Sequence, residues 1–424
     1  MRKRPRSSIL DQYALLFGVV ERKLFAQLCV GASATRLKPA FCLQYGLTAR
    51  QFNSVQKMLE GKIEAVHASI PKQLEELEWR IARAQKIIKK LERHAPRSKA
   101  LHEKKRRLAR LGQRLDRLME DQRAGQVRIC FGGRRLFRRQ FHLEENSYRG
   151  HEQWLAEWRR ARANQFFVIG SHDETSGNQS CVAAVAEDGT LRLRLRLPPA
   201  LENEYGRYLE IGRVRFRHGH DEIVAALESI TIKTTTSRGR RVTKRIGRAL
   251  SYRFLRDNKS WRLFVTFEED LPETVTWREL GAIGVDVNPD HLAVAEVDRN
   301  GNLVAWWLIP LPLRGKTRDQ RRALILEACA FVAELARDRG KPVVIEQLDF
   351  ARKRAELEGV GADRSRELSS FSYSQVLDCL DRACCRRGVE VIRRSAAYTS
   401  VIGAVNRNGD VGDFFAGDWW QRDE

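Results

Sequence analysis

Two carboxylates stand where carboxylates are expensive. Asp286 follows the apolar run at 282–285 in AIGVDVN, and Glu346 follows Val343, Val344 and Ile345 in PVVIEQLD. A charge set into an apolar strand costs free energy unless it is paired or binds a metal. Two such groups on neighbouring strands repel one another, and a cation between them relieves the repulsion. All-oxygen ligation suits Mg²⁺ or Mn²⁺. A pair of such ions can drive phosphodiester hydrolysis by activating water and steadying the leaving oxygen. The plainer alternative is that one or both acids cap a strand end or pair with an arginine. Asp286 and Glu346 are the candidate catalytic and metal-ligating residues.

The surrounding pattern is α/β. GAIGVDVNPDHLAVAEVDRNGNLVAWWLIP at 281–310 predicts consecutive strands with a turn at Asp298, Arg299, Asn300 and Gly301. Residues 317–339 predict a helix with Leu324, Ala328, Phe331, Val332 and Leu335 on its apolar side. KPVVIEQLDF at 341–350 predicts a buried strand, 369–388 a second helix, and GVEVIRRSAAYTS at 388–400 a further strand. Strand with Asp, hairpin, helix, strand with Glu is the order of a ribonuclease H-like domain.

Charge defines the partner class. The chain has 424 residues with 77 Lys and Arg against 54 Asp and Glu, a formal excess of +23. That excess implies a polyanionic partner, nucleic acid before an anionic membrane surface. With 42% hydrophobic residues the chain is too apolar for disorder. It contains no run of apolar residues long enough for a membrane span, so no membrane association is expected. The N-terminus is basic but lacks the apolar core of a secretory signal, and the cytoplasm is the expected location. None of the eight cysteines forms a C-x-x-C pair, which predicts reduced thiols rather than disulfides or a zinc site.

The positive charge is concentrated. Leu74, Leu77, Ile81, Ala84, Ile88 and Leu91 recur at helical spacing, as do Leu101, Leu108, Leu111, Leu115 and Leu118 beyond HAPRS at 94–98. The two stripes predict an antiparallel helical hairpin, with Pro71 as the first residue of its first arm. From Lys72 to Arg117 there are 16 Lys and Arg against 6 Asp and Glu, densest at Lys104, Lys105, Arg106 and Arg107. A merely solvated coil would mix signs more evenly, so this face is expected to meet phosphates.

Residues 126–270 read as short strands. LRLRLRLP at 191–198 sends Leu191, Leu193, Leu195 and Leu197 one way and Arg192, Arg194 and Arg196 the other. That pattern predicts a barrel or sandwich strand with an apolar inside and a row of guanidiniums outside. Further strands are expected at 213–218, 228–236 and 261–268, with a basic hairpin tip at 237–245 that includes Arg240 and Arg241. One helix, at 151–167, interrupts them. Its Trp154 and Trp158 are expected to pack in a core rather than stack on bases.

Several stretches together resemble the TnpB-related family of transposon-encoded, RNA-guided RuvC nucleases, relatives of the type V CRISPR effectors. They are CFGGRRLF (130–137), NQFFVIGSHDETSGNQSC (164–181), LRLRLRLP, GAIGVDVNPDHLAVAEVDRNGNL (281–303), KPVVIEQLDF, LSSFSYSQVLDCLDRACCRRGVEV (368–391) and AYTSVIG (397–403). The resemblance covers most of the chain, from about residue 40 to 403. It implies a multidomain α/β architecture: an N-terminal wedge segment at 1–49, a helical recognition lobe at 50–125, a wedge-type β-barrel at 126–279 and a RuvC-like domain from 280. It implies a transposon-derived guide RNA, a double-stranded DNA target chosen by guide pairing, and Mg²⁺ or Mn²⁺ at Asp286 and Glu346.

This chain departs from the family at its end. A complete RuvC site has a third acid on a late helix. Many members also place a cysteine zinc finger before that helix, which the TnpB-related branch lacks. Here about twenty acidic, glycine-containing residues follow AYTSVIG. They are expected to be a truncated or frameshifted end without the closing helix. Asp410, Asp413 and Asp418 are the acids left to serve as a third ligand, and loop placement rarely gives the geometry that role needs. Three readings follow: a guided nuclease, a guided DNA binder that no longer cuts because the third acid is missing, and an unguided nucleic-acid binder.

Overall fold

The computed structural model of the chain describes residues 6–235, 241–288, 290–347 and 373–395. The architecture is mixed α/β with several small sheets. Contacts divide the chain into two units, residues up to Pro71 with Asp116–Glu269, and Lys72–Leu115 with the residues from Asp270 onward.

The first unit holds α1 (Arg6–Cys29), α2 (Ala34–Tyr45) and the start of α3 (Ala49–His94). It then takes in the end of α4 (Lys99–Arg123), α5 (Arg134–Arg139) and α6 (His151–Ala161). β1 (Gln165–Val168), β2 (Cys181–Val185) and β3 (Leu191–Arg196) follow, then α7 (Pro199–Tyr205), β4 (Tyr208–Val214) and α8 (His220–Ala226). β5 (Ser229–Thr235), β6 (Arg241–Gly247), β7 (Ser251–Arg256) and β8 (Trp261–Thr266) complete it. The strands form three sheets, β1-β7-β8, β2-β3-β4 and β5-β6.

The expected barrel is not formed: none of these sheets closes among the described residues. Helices do the covering instead. Tyr13, Phe17 and Leu24 of α1 and Phe52, Val55 and Leu59 of α3 share one core with Phe166, Leu193, Leu195, Tyr252 and Phe254. Phe166 stacks between Tyr13 (centroids 4.2 Å) and Phe254 (4.6 Å). Two amphipathic sheets whose apolar faces are already buried under α1 and α3 gain nothing by closing on each other.

The same stack explains where the helix at 151–167 stops. α6 ends at Ala161, and Phe166 and Phe167 belong to β1, paired with β7. The strand expected at 213–218 lies earlier, at Tyr208–Val214, and residues 215–218 are not strand; at its end Arg213 has a φ of 56° and the β3–β4 register shifts. Those at 228–236 and 261–268 become β5 and β8. Asn178, fully buried, joins the sheets: its Nδ2 donates to Leu250 O (2.8 Å), and its Oδ1 accepts from Ser180 N and Cys181 N (2.9 Å each).

Pro71 does not start an arm. It lies inside α3, which runs unbroken from Ala49 to His94. A proline there removes one helical hydrogen bond, at a cost of about 3 kcal/mol. Burial on both sides of it, at Leu59, Ile70 and Leu77, holds the helix through that point. Beyond Pro71 the hairpin forms as its stripes require. Leu77, Ala84, Ile88, Leu101 and Leu111 are buried, and Lys105 pairs with Glu92 of the opposite arm at 2.8 Å.

Among the described residues, the rest of the second unit holds one five-stranded sheet and two α-helices. β9 (Ala282–Val287), β10 (His291–Val297) and β11 (Leu303–Pro310) form an antiparallel meander, followed by α9 (Arg318–Arg339), β12 (Val343–Gln347), α10 (Tyr373–Cys385) and β13 (Val391–Ser395). The order is β11-β10-β9-β12-β13, with β12 parallel to both β9 and β13. α9 starts at a capping box, Thr317 with Gln320, and ends at Gly340 in the left-handed region. It buries Ile325, Ala328, Cys329, Val332, Ala333 and Ala336. Phe331, expected on that side, is exposed because the buried stripe runs one position away from it. Edge strand β11 turns Trp307 and Ile309 to the helix-covered core, while Val304, Trp306 and Leu308 on its other side are more than half exposed.

Leu193 and the arginines beside it have opposite duties here. Leu193→Ala is expected to cost about 2–5 kcal/mol, read as a lowered denaturation midpoint. Replacing Arg192 and Arg194 together with Ala is expected to leave that midpoint nearly unchanged. Equal losses from both would mean the strand faces are assigned the wrong way round.

Candidate active site and nucleic-acid interface

Strand alternation gives the second unit's sheet two faces. Ile283, Val285 and Val287 of β9 and Val343 and Ile345 of β12 pack in the core with α9 and α10. Ala282 and Val344 lie on the opposite face, in a cluster with Val297 and Ile392. Asp286 and Glu346 keep step with that second set. The β9–β12 ladder runs Val343 with Ile283, Val344 with Gly284 and Ile345 with Val285. The next residues along the two strands are Glu346 and Asp286. Both acids therefore sit side by side, on one face, at the carboxyl ends of parallel neighbours, one step past the last ladder pair. Neighbouring strands lie about 4.8 Å apart.

Both side chains are half-buried. Asn288, two residues on and on the same face, donates from Nδ2 to Asp286 Oδ2 at 3.0 Å and orients that carboxylate. On the other flank of Glu346, Arg394 of β13 is its register partner. The face thus reads Asp286, Glu346, Arg394 across three strands. Two carboxylates side by side suit a hard cation, which keeps several waters and needs few protein ligands. Asp286 and Glu346 would hold it. Among the described residues no group of three or more His, Cys, Asp or Glu could hold a metal ion. Asp410, Asp413 and Asp418 lie outside the described residues.

At the far end of the same sheet a second charge is buried and answered. Lys341 Nζ donates to Glu296 Oε1 at 2.6 Å and to Val297 O at 3.0 Å. Arg339 approaches Glu296 at 3.4 Å. This pair ties the entry of β12 to the end of β10.

The basic residues fall into separate places. Arg192 and Arg194 are exposed on one side of β3, with Arg196 half-buried, while Leu191, Leu193, Leu195 and Leu197 are buried. Arg194 lies over the Tyr208 ring at 5.0 Å. On α4 the contiguous run does not make one face. Lys105 and Arg106 are exposed, whereas Lys104 and Arg107 lean toward the packed side. Four consecutive helical positions are spread over about 300° around the axis, so density along the chain is not density on a surface. The outward line is Arg106, Arg110 and Arg114, all exposed and four apart. Like charges at that spacing oppose an isolated helix and are stabilised by an anion lying along them. Arg241 opens β6, and Arg240 lies outside the described residues. Trp154 and Trp158 are buried and stacked at 5.7 Å, the core role expected for them. No described helix is long and apolar enough to cross a membrane.

Sequence reasoning missed Asn288 and Arg394. Both were signalled by the two-residue period, since each lies an even number of positions from a residue of the Asp286 face. It also missed the Arg106, Arg110 and Arg114 line, which a helical period rather than a count along the chain would have found.

No protein-family model matches the chain, and neither does any curated protein.

Thiol chemistry is confined to the surface. Burial pushes the Cys329 and Cys384 thiols up to about 12, so both stay protonated and unreactive at neutral pH. Cys29 and Cys385 are exposed. At mildly alkaline pH a maleimide is expected to label Cys29 and Cys385 in the folded protein and to reach Cys329 and Cys384 only in denaturant. Peptide mass spectrometry reads the order; early labelling of Cys329 would contradict the packing of α9 on α10.

Proposed function

We propose that the chain is a TnpB-like, RNA-guided DNA-binding protein with a RuvC-type, metal-dependent DNA endonuclease site at Asp286 and Glu346. One observation carries the reading: two carboxylates side by side at the carboxyl ends of β9 and β12. The strand order there, third, second, first, fourth, fifth, is that of the ribonuclease H-like fold. β9 and β12 also flank the point where the chain reverses its progress across the sheet, where open α/β sheets put their ligands. The exposed arginines of α4 and β3 support a long polyanion as partner, and guide RNA with target duplex is the pair the family resemblance supplies.

In this reading Asp286, oriented by Asn288, and Glu346 would hold a divalent cation, which when bound would supply an activated water and a neutralised leaving oxygen. The arginine surfaces hold the backbone in register and pay no attention to sequence, which guide pairing reads.

A second reading has an observation of its own. Arg394 stands beside Glu346 in register, and a guanidinium there offsets the carboxylate charge that would otherwise recruit a cation. On that reading the chain binds guide and target without cutting.

The purified chain with its copurifying RNA, Mg²⁺ and a matched plasmid separates the two. The nuclease reading expects cleavage that Asp286→Ala and Glu346→Gln each abolish, with RNA affinity unchanged. Tight target binding with no cleavage by the wild type selects the binder. RNA affinity itself is expected to fall about 10³-fold between 50 and 200 mM salt, as for a protein making several phosphate contacts. A salt-independent affinity would remove the polyanion from both readings.

A further inference from the structure

α5 and the turn after it carry an arrangement that the carboxylate site does not use. Between Val127 and Leu143 the chain has five arginines and no acid. Two are engaged, Arg128 with Asp121 at 2.8 Å and Arg139 with Glu157 at 3.6 Å. Arg134, Arg135 and Arg138 are exposed and have no ion pair or side-chain hydrogen bond among the described residues. Between them rise two apolar rings: Phe137 is 42% and Phe141 68% exposed, meeting edge to face at 6.1 Å.

The base under these groups is built, not loose. Leu136 packs with Tyr148, Trp154 and Trp158, and Trp154 Nε1 donates to Leu136 O at 2.8 Å. Phe137 lies 5.6 Å from Trp158. Gly132, at φ 90°, presses on the Trp158 ring where a Cβ would come within 2.9 Å. The tryptophans of α6 thus hold α5 with its phenylalanines and guanidiniums turned to solvent. Exposed rings set among uncompensated cations match a ligand that alternates flat apolar faces with anions. A single-stranded nucleic acid is such a ligand. An acidic peptide supplies the anions without the faces, and Glu144 and Glu145 close the patch on one side against it.

We propose that Phe141, propped edge-on by Phe137, stacks an unpaired base of a single-stranded nucleic acid whose flanking phosphates lie on Arg134, Arg135 and Arg138. This deepens the nucleic-acid reading above and rests on it.

The test uses the full chain and a short unstructured oligouridylate, titrated across salt. Phe141→Ala is expected to weaken binding about 5- to 100-fold with the salt slope unchanged, and Phe141→Tyr to restore it. Replacing Arg134, Arg135 and Arg138 with Ala is expected to lower the slope by about 2, at roughly 0.7 per single-strand phosphate contact. Circular dichroism melting of each variant should match the wild type, since these side chains are exposed. Wild-type affinity in Phe141→Ala, or equal loss in Phe141→Ala and Phe141→Tyr, overturns the stacking role. Loss of polyglutamate binding with oligouridylate binding intact reassigns the patch to an acidic protein and overturns the proposal. Arg106→Ala with Arg110→Ala and Arg114→Ala is the control. If that variant loses RNA while the α5 variants do not, this inference alone fails; if the wild type binds no RNA, the larger reading fails with it.

Discussion

Everything the second unit offers chemically depends on the parallel register of β12 against β9. Side chains alternate faces along a strand, so a slip of one residue would carry Glu346 under α9 and α10 and leave Asp286 alone. Three features oppose the slip. Val343 and Ile345 fill the helix-covered core with Ile283 and Val285, Val344 fills the other side with Ala282, and Lys341 is bound to Glu296 before β12 begins. The last of these is the most demanding. A buried ammonium displaced from its carboxylate is left uncompensated, which costs about 3–5 kcal/mol. A pair far from the carboxylates, and of no use to them chemically, thereby sets where they stand.

How much of this was readable beforehand follows from which forces act locally. The alternation of Leu191, Leu193 and Leu195 with arginines, the stripes of the hairpin and the apolar runs before Asp286 and Glu346 are periodicities, and they survive folding because each is satisfied by whatever it packs against. The barrel was a statement about how sheets meet, and nothing in a strand's own pattern says whether a second sheet or a helix will cover it. Tyr13 and Phe52 decided that, from segments far away in the chain. The end of α6 was hidden for the same reason: Phe166 and Phe167 extend a plausible helical pattern until Tyr13 and Phe254 claim Phe166 for a strand. At the site, the two acids announced themselves by their cost, whereas Asn288 and Arg394 are ordinary polar residues whose importance arises only from the strands beside them.

The two charge systems of the chain obey different rules. Glu296 and Lys341 are paired at short range inside a core, where the dielectric makes each other's presence obligatory. Arg106, Arg110 and Arg114 of α4 and Arg134, Arg135 and Arg138 of α5 are instead exposed at the surface. Their mutual repulsion is tolerated because water and salt screen it. The fold is thus indifferent to salt where it is held together and sensitive to salt where it meets its surroundings.

That division has a consequence for edge strand β11. Val304, Trp306 and Leu308 lie exposed on one face of a strand that has a single neighbour among the described residues, the kind of surface that templates association between copies. At low ionic strength the net charge of +23 keeps copies apart. Concentrated salt screens that repulsion. Where the salt is a sulfate or phosphate, it also drives apolar surfaces together. Colloidal stability in this molecule is therefore borrowed from its charge, and the high salt that screens the charge is what favours self-association through β11.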